Sequence, residues 1–289
     1  MTLRRTLEAG ETIVVPGAHD PLTARLLRDI GFKAVYVGGY QTGAQLATTE
    51  PLTTMTEFLE VTARVVGAVE DVAVLVDGGA GFGEPVHVMR TVREFERIGA
   101  AGIHIEDQFF PKRVSYHRAL VHVIPLEDLL DKLRFAMKAR KSRDFIIIGR
   151  TDAAKAVGGS PEEAVRRARE MIRLGVDAVF VSGYRTPEEA EFYRREIPDI
   201  PMMAVAGIEP LAVQDYRRLG YQIVVYSSTT IAICARAVAE FYGPLFRTGQ
   251  MPLSVDEIRK ARELVEKAIN LSEYYALEEQ TTEKGPLSY

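Results

Sequence analysis

GIHIEDQFFPKR, residues Gly102 to Arg113, opens on four mostly apolar residues and then turns abruptly to charge. The run Gly102 to Ile105 predicts a short buried strand, because strands covered on both faces read as continuous apolar runs. Where such a run should end in a plain turn, it delivers Glu106 and Asp107, so two carboxylates sit at a strand tip. Pro111 stiffens the exit. Lys112, Arg113, Tyr116, His117 and Arg118 then crowd a segment with neither helical nor strand period, which is expected to be a loop carrying chemistry. An exposed turn with solvated charges is the competing reading of the same residues.

The rest of the chain repeats this beginning. Short β-rich runs occur at Thr12 to Val15, Ala34 to Val37, Val72 to Val76, Gly102 to Ile105, Phe145 to Ile148, Ala178 to Val181, Met202 to Val205 and Ile223 to Tyr226. Between them lie amphipathic stretches with helical period, among them Pro21 to Ile30, Met55 to Val69, Val86 to Ile98, Leu126 to Lys141, Pro161 to Leu174, Pro187 to Glu196 and Leu211 to Leu219. Several close on glycine, as helix C-termini prefer. Eight strands strictly alternating with helices predict an α/β fold, a (β/α)8 TIM barrel.

Composition agrees with one large domain and a small ligand. The 289 residues are 47% hydrophobic and 26% charged, enough to bury a barrel core. A net charge of −4, with 40 acidic residues and no basic stripe, argues against a nucleic-acid partner. No apolar run approaches the ~18 residues of a membrane span, and the start has no apolar signal core; a soluble cytoplasmic protein with no membrane partner is expected. The single cysteine, Cys234, excludes an internal disulfide and a multi-cysteine metal site. Within the apolar run TIAICARAVAEF it is expected to be a core thiol.

A barrel's site lies where its strands end. Pro16-Gly17-Ala18-His19-Asp20 follows the first run, Gly38-Gly39-Tyr40 the second, Asp77 the third, Glu106 and Asp107 the fourth, and Arg150-Thr151-Asp152 the fifth. Three successive strands thus end in ionisable groups. A shared cation or a bound anion accounts for them most economically, with a ring of structural salt bridges as the alternative. Asp77 and Glu106 supply the hard oxygens that Mg2+ takes, often from only one or two carboxylates. Arg150 offers a planar fork for a substrate carboxylate or phosphonate, and Lys112 could add a second positive charge on closure. The glycines Gly78 to Gly83 let backbone approach a small ligand but form no dinucleotide fingerprint.

Pro16-Gly17-Ala18-His19-Asp20, GFKAVYVGG, Asp77 with Gly81-Phe82-Gly83, Glu106-Asp107-Gln108 with Pro111-Lys112-Arg113, and Gly149-Arg150-Thr151-Asp152 stand in this order at strand ends. Together they resemble the isocitrate lyase/phosphoenolpyruvate mutase superfamily, from about residue 5 to 245. The nearest likeness is to its small bacterial branch of methylisocitrate lyase, dimethylmalate lyase, oxaloacetate decarboxylase and carboxyphosphonoenolpyruvate mutase. The resemblance implies a Mg2+ cofactor, with Mn2+ as an alternative, bound by Asp77 and Glu106. It further implies Arg150 on the substrate carboxylate, and Tyr36, Gly38 and Gly39 around the 2-oxo acid end.

Departures accompany the likeness. The family's Asp-x-Asp-Thr-Gly is here Asp77-Gly78-Gly79-Ala80-Gly81, Ser182 stands where relatives carry Glu, and Val205 where many carry Asn. Glu50 is an uncertainly aligned replacement for a metal-shell Asp. The lyase motif Lys-Lys/Arg-Cys-Gly-His appears as Lys112-Arg113-Val114-Ser115-Tyr116, then His117. Without a thiol there, isocitrate or methylisocitrate cleavage of the usual kind is not expected. The resemblance leaves a Mg2+-dependent carbon–carbon lyase acting on a small 2-hydroxy or 2-oxo dicarboxylate through an enolate, with Lys112, Arg150, Tyr116 and His117 as catalytic residues. A carbon–phosphorus mutase or hydrolase is the alternative, and a non-catalytic organic-acid-binding barrel the second. Among the other histidines, His104 is expected to line the barrel, His19 to shape its loop, and His87 and His122 to lie at the surface.

Two structural expectations complete the reading. Residues 1–250 form the barrel and 251–289 a helical extension, whose Ile258, Leu264, Val265, Ala268, Ile269 and Leu271 recur at helical spacing and need a partner surface. By resemblance, such C-terminal helices are exchanged between subunits of a homo-tetramer. Phe109 to His122 is expected to be a gating loop, since its five basic residues repel one another until an anionic ligand arrives.

Overall fold

A computed structural model describes residues 2–114, 116–207 and 211–281; Ser115 and the last eight positions of the predicted extension lie outside the described residues. Eight parallel strands run in chain order: β1 (Ile13–Pro16), β2 (Ala34–Val37), β3 (Ala73–Asp77), β4 (Gly102–Glu106), β5 (Ile146–Thr151), β6 (Ala178–Val181), β7 (Met202–Val205) and β8 (Ile223–Tyr226). Each pairs with its neighbour and β1 pairs with β8. The ring closes between β1 and β2 through a bridge from Gly17 to Tyr36, where the Ala18 N–H donates to the Tyr36 carbonyl at 2.9 Å. The (β/α)8 barrel expected from the alternation is the observed fold.

The helices are α1 (Leu3–Glu8), α2 (Pro21–Ile30), α3 (Gly39–Gln45), α4 (Met55–Ala68), α5 (Pro85–Arg97), α6 (Leu126–Ala139), α7 (Pro161–Leu174), α8 (Pro187–Glu196), α9 (Val213–Leu219), α10 (Thr229–Thr248), α11 (Val255–Ala268) and α12 (Leu271–Thr281). Local chemistry sets many of their ends. Asp20 and Ser160 accept the first free N–H groups of α2 and α7, and Gly31 and Gly175 end those helices in the left-handed region. Thr54 with Glu57 forms a capping box on α4.

Strand alternation sorts the side chains into two cores. Val35, Val37, Val74, Val76, Ile103 and Ile105 face the helices. Val15, Tyr36, Leu75, Ile148, Phe180 and Val225 fill the barrel interior, which Leu3 and Leu7 of α1 also join. The same period-two rule sends Asp77, His104, Glu106 and Arg150 inward at the C-terminal ends. It sends Asp107 the other way.

Beyond β8 the pattern changes. Helix α10 has no buried residue, with Ile233, Val238 and Phe246 56%, 58% and 92% exposed. Cys234 is therefore exposed rather than the core thiol expected from its apolar surroundings, because α10 does not lie against its own barrel. The chain turns back at α11, where Arg25 of α2 donates to the Ala268 carbonyl at 3.1 Å and Ala268 is buried. Among the described residues, no helix is long and apolar enough to cross a membrane.

Candidate active site

The mouth of the barrel holds a cavity of about 520 Å3. Asp77, at the tip of β3, is pinned from two sides. Its Oδ1 accepts the Gly79 N–H at 2.8 Å and its Oδ2 the Gly39 N–H at 3.3 Å. A Cβ at Gly39 would overlap the Glu50 carboxylate, so glycine here lets that carboxylate lie against the backbone. Gly79, which stands where the superfamily carries a second acid, adopts a left-handed conformation with φ of 51° that delivers its amide to Asp77.

Glu106 lies one strand over, fully buried. Its carboxylate faces Arg150 Nη1 at 2.9 Å and Lys112 Nζ at 3.4 Å, yet neither oxygen accepts a well-aligned hydrogen bond. Lys112 reaches in from the loop after β4, 3.4 Å from Asp77 and in direct contact with Glu50. Arg150 is braced by Asp152 at 3.0 Å, and its guanidinium lies 5.1 Å from the centroid of the Phe180 ring. Beneath them, Tyr36 Oη and His104 Nε2 are 2.7 Å apart, and His104 Nδ1 is 3.7 Å from Asp77.

The charges shift one another in ways that follow from burial and proximity. Burial alone would raise Asp77, but Lys112, then His104, Arg150 and the Gly79 N–H hold it well below the usual carboxylate range. Burial pushes Glu106 up to about 8 against Arg150 and Lys112, and raises Glu50 as well. Burial would lower Lys112, yet Asp77, Glu106 and Glu50 more than reverse this and keep it protonated. His104 is pushed down to about 3 by burial and is a neutral imidazole.

Asp77, His104 and Glu106 offer ligand atoms that lie within 4.8 Å of one another, all buried. Two hard carboxylates, one of them lacking aligned donors, beside a neutral imidazole make a donor set that fits a divalent cation. Tyr36, Gly38, Gly39, Asp77, Lys112, Tyr116 and Arg150 all line the cavity, with Glu106 behind them. His117 does not line it; its Nε2 is 2.7 Å from Thr49 Oγ1 at the surface. His104 lines the barrel as its strand position implies, whereas its place among the metal-capable groups is set by the register of β3 on β4. Glu50 is the residue the sequence indicated least clearly. It sits in a 3-10 turn, Glu50–Leu52, and enters the site by lining the cavity beside Gly39 and meeting Lys112. Asp107, its neighbour's equal in sequence, lies outside the barrel wall, accepting from Thr151 Oγ1 at 2.6 Å and the Asp152 N–H at 2.9 Å and facing Arg167 at 3.2 Å.

This fold and this mouth define an enzyme of the isocitrate lyase/phosphoenolpyruvate mutase superfamily. Within it, the chain belongs to the family described as phosphoenolpyruvate phosphomutase, whose model matches residues 3–243. A Corynebacterium glutamicum protein described as probable 2-methylisocitrate lyase 2 is 35% identical over 292 residues, covering 99% of this chain and 93% of its own. The 2,3-dimethylmalate lyase of Eubacterium barkeri is 34% identical over 84% of each chain. Among solved structures, a phosphonopyruvate hydrolase in complex with oxalate and Mg2+ superposes with a TM-score of 0.84 at 28% identity, covering 98% of this chain and 100% of that one.

Proposed function

We propose that the protein is a Mg2+-dependent carbon–carbon lyase for a small 2-hydroxy or 2-oxo dicarboxylate. The observation that carries this reading is the convergence of Asp77, Glu106, Arg150 and Lys112 on one buried cavity, two carboxylates for a cation and two cations for an acid. Mg2+ held by Asp77 and Glu106 would supply Lewis-acid polarisation of the substrate's 2-oxygen. For a 2-hydroxy acid, the hydroxyl gives its proton to solvent water, the C2–C3 bond breaks, C2 becomes a carbonyl, and the electron pair moves to C3 as an enolate of the adjoining carboxylate. Arg150 and Lys112 neutralise the charge that develops there. The enolate then takes a proton at C3.

Cys234 is not assigned as the donor of that proton: it is exposed on α10 and is not among the residues that line the cavity. Tyr116 lines the cavity, and burial raises its hydroxyl above the usual tyrosine value, so it enters the reaction protonated. His117 is held by Thr49 and would have to turn inward to serve. Tyr36, Gly38 and Gly39 wall the end that takes the 2-oxo acid.

Incubation of oxaloacetate, dimethylmalate, citramalate, methylisocitrate and phosphonopyruvate with and without Mg2+ tests the reading. Mg2+-dependent release of pyruvate from one of the first four is the expected result. Phosphate release from phosphonopyruvate alone would establish the carbon–phosphorus alternative, which the cationic lining also suits. Turnover of none, with tight oxalate binding, would make the protein an organic-acid-binding barrel.

The assembly belongs to the same proposal. An apolar α10 with no buried residue needs cover, and exchange of the C-terminal helices between subunits of a homo-tetramer provides it. A monomer by light scattering of the full chain at micromolar concentration would contradict this.

A further inference from the structure

Helix α6 carries a basic residue on its buried face. Leu129, Leu133 and Ala136 line that face at helical spacing, and Lys132 stands among them, 6% exposed. Lysines are rarely buried unless paired, yet among the described residues no carboxylate forms an ion pair with this one. Its Nζ instead donates to the backbone carbonyl of Ala80 at 2.9 Å. Burial lowers its pKa below the ordinary lysine value, and Glu106 is the foremost of the carboxylates that oppose the shift. A lysine kept in such apolar company is explained by what it holds.

Ala80 lies in the loop from Gly78 to Gly83, between β3 and α5, and this loop touches both proposed cation ligands. Gly79 donates its N–H to Asp77 Oδ1 at 2.8 Å and accepts the Glu106 N–H on its carbonyl at 2.9 Å. The next peptide unit, Ala80–Gly81, is held at both ends, its carbonyl by Lys132 and its N–H by the Gly78 carbonyl at 2.9 Å. Such support is needed because Phe82, a non-glycine residue, sits at φ of 57°, a conformation that a loop without outside anchors would leave. We infer that Lys132 is a positioning residue: gripping the Ala80 carbonyl from α6, it fixes the Gly79 peptide groups that orient Asp77 and tether Glu106. It thus sets the cation site without contacting either carboxylate. The inference rests on the lyase reading for the cation but not for the loop.

Two measurements on the full-length chain separate these. Each compares wild type with Lys132→Met, which keeps the length and loses the donor, and Lys132→Arg, which keeps a donor. In chelator, amide hydrogen exchange at Gly79, Gly81 and Glu106 should quicken in Lys132→Met by on the order of 10-fold, the equilibrium worth of about one hydrogen bond. The amides of β7 should keep their wild-type protection. With Mg2+ added, calorimetry should show oxalate affinity lowered on the order of 10-fold by the same displaced loop, and Lys132→Arg should recover part of both losses. A lysine that acted only as a nearby charge would repel the cation. Its removal would then tighten Mg2+-dependent oxalate binding, and that result would overturn the inference. So would unaltered affinity, unchanged exchange at the three amides, or exchange that quickens equally in β7, the mark of a lysine that serves global stability alone. Should Lys132→Met fail to fold, Lys132→Gln, one atom shorter, is read by the same criteria. If wild type binds no oxalate with Mg2+, the Mg2+-dependent reading falls, and exchange in chelator alone decides the inference.

Discussion

Two ion pairs stand back to back across the barrel wall, one residue apart in sequence. Inside the mouth, Glu106 faces Arg150 and Lys112; outside it, Asp107 faces Arg167 of α7. Both carboxylates are fully buried, yet their surroundings differ in kind. Asp107 is saturated, with Thr151, the Asp152 N–H and Arg167 donating to it. Glu106 has charges near it and no aligned donor. A buried group whose bonds are all made holds the wall together, while one left short of them at a cavity edge is free to meet a ligand.

The comparison is sharpened first at the inner side. Asp77→Ala should abolish Mg2+-dependent binding of oxalate while the barrel still folds, since a strand-tip residue contributes little to the core; calorimetry checks it, and an unchanged Mg2+ affinity would sink the assignment. The outer pair should respond in the opposite currency. Asp107→Ala leaves Arg167 and Thr151 without their partner, so unfolding by denaturant should show a loss of about 3–5 kcal/mol, with oxalate affinity of the folded protein unaltered.

Lys112→Ala comes next, with kcat lowered on the order of 10²-fold by loss of charge stabilisation. The melting temperature should change as well, because Lys112 touches Glu50, Asp77 and Glu106 together. Without Lys112 those carboxylates repel one another, so the variant should melt lower in chelator and recover when Mg2+ is added. Equal melting in both conditions would argue against a cation among these residues. Within the loop around Lys112, backbone hydrogen exchange should slow when oxalate and Mg2+ bind, and identical exchange would leave it as ordinary surface. The smallest effect is expected at Thr151→Val, which removes one hydrogen bond to Asp107 and should cost about 1 kcal/mol of stability without changing KM.

Much of this was legible in the chain. The eight apolar runs foretold the strands, four of them to the residue, because a parallel strand buried on both faces leaves an unbroken apolar signature. Asp77, Glu106 and Arg150 were legible because a barrel places its chemistry at strand ends. The loop from Phe109 carried its own warning in a cluster of bases without a period.

Other features had no local signature. Glu50 enters the site from a turn 27 residues before Asp77, and nothing near it in sequence says that Lys112 will meet it. Cys234 shows the limit most plainly, since an apolar helical stripe reads alike whether its own barrel or another surface covers it, and here its own barrel does not. The sequence by itself determined the alternation of strands and helices and the acids and bases at the strand tips, because those follow from periods of a few residues. Only the tertiary structure decided which of those charges share a cavity, which lock the wall, and which helix is left uncovered, because each depends on register and packing between segments far apart in the chain.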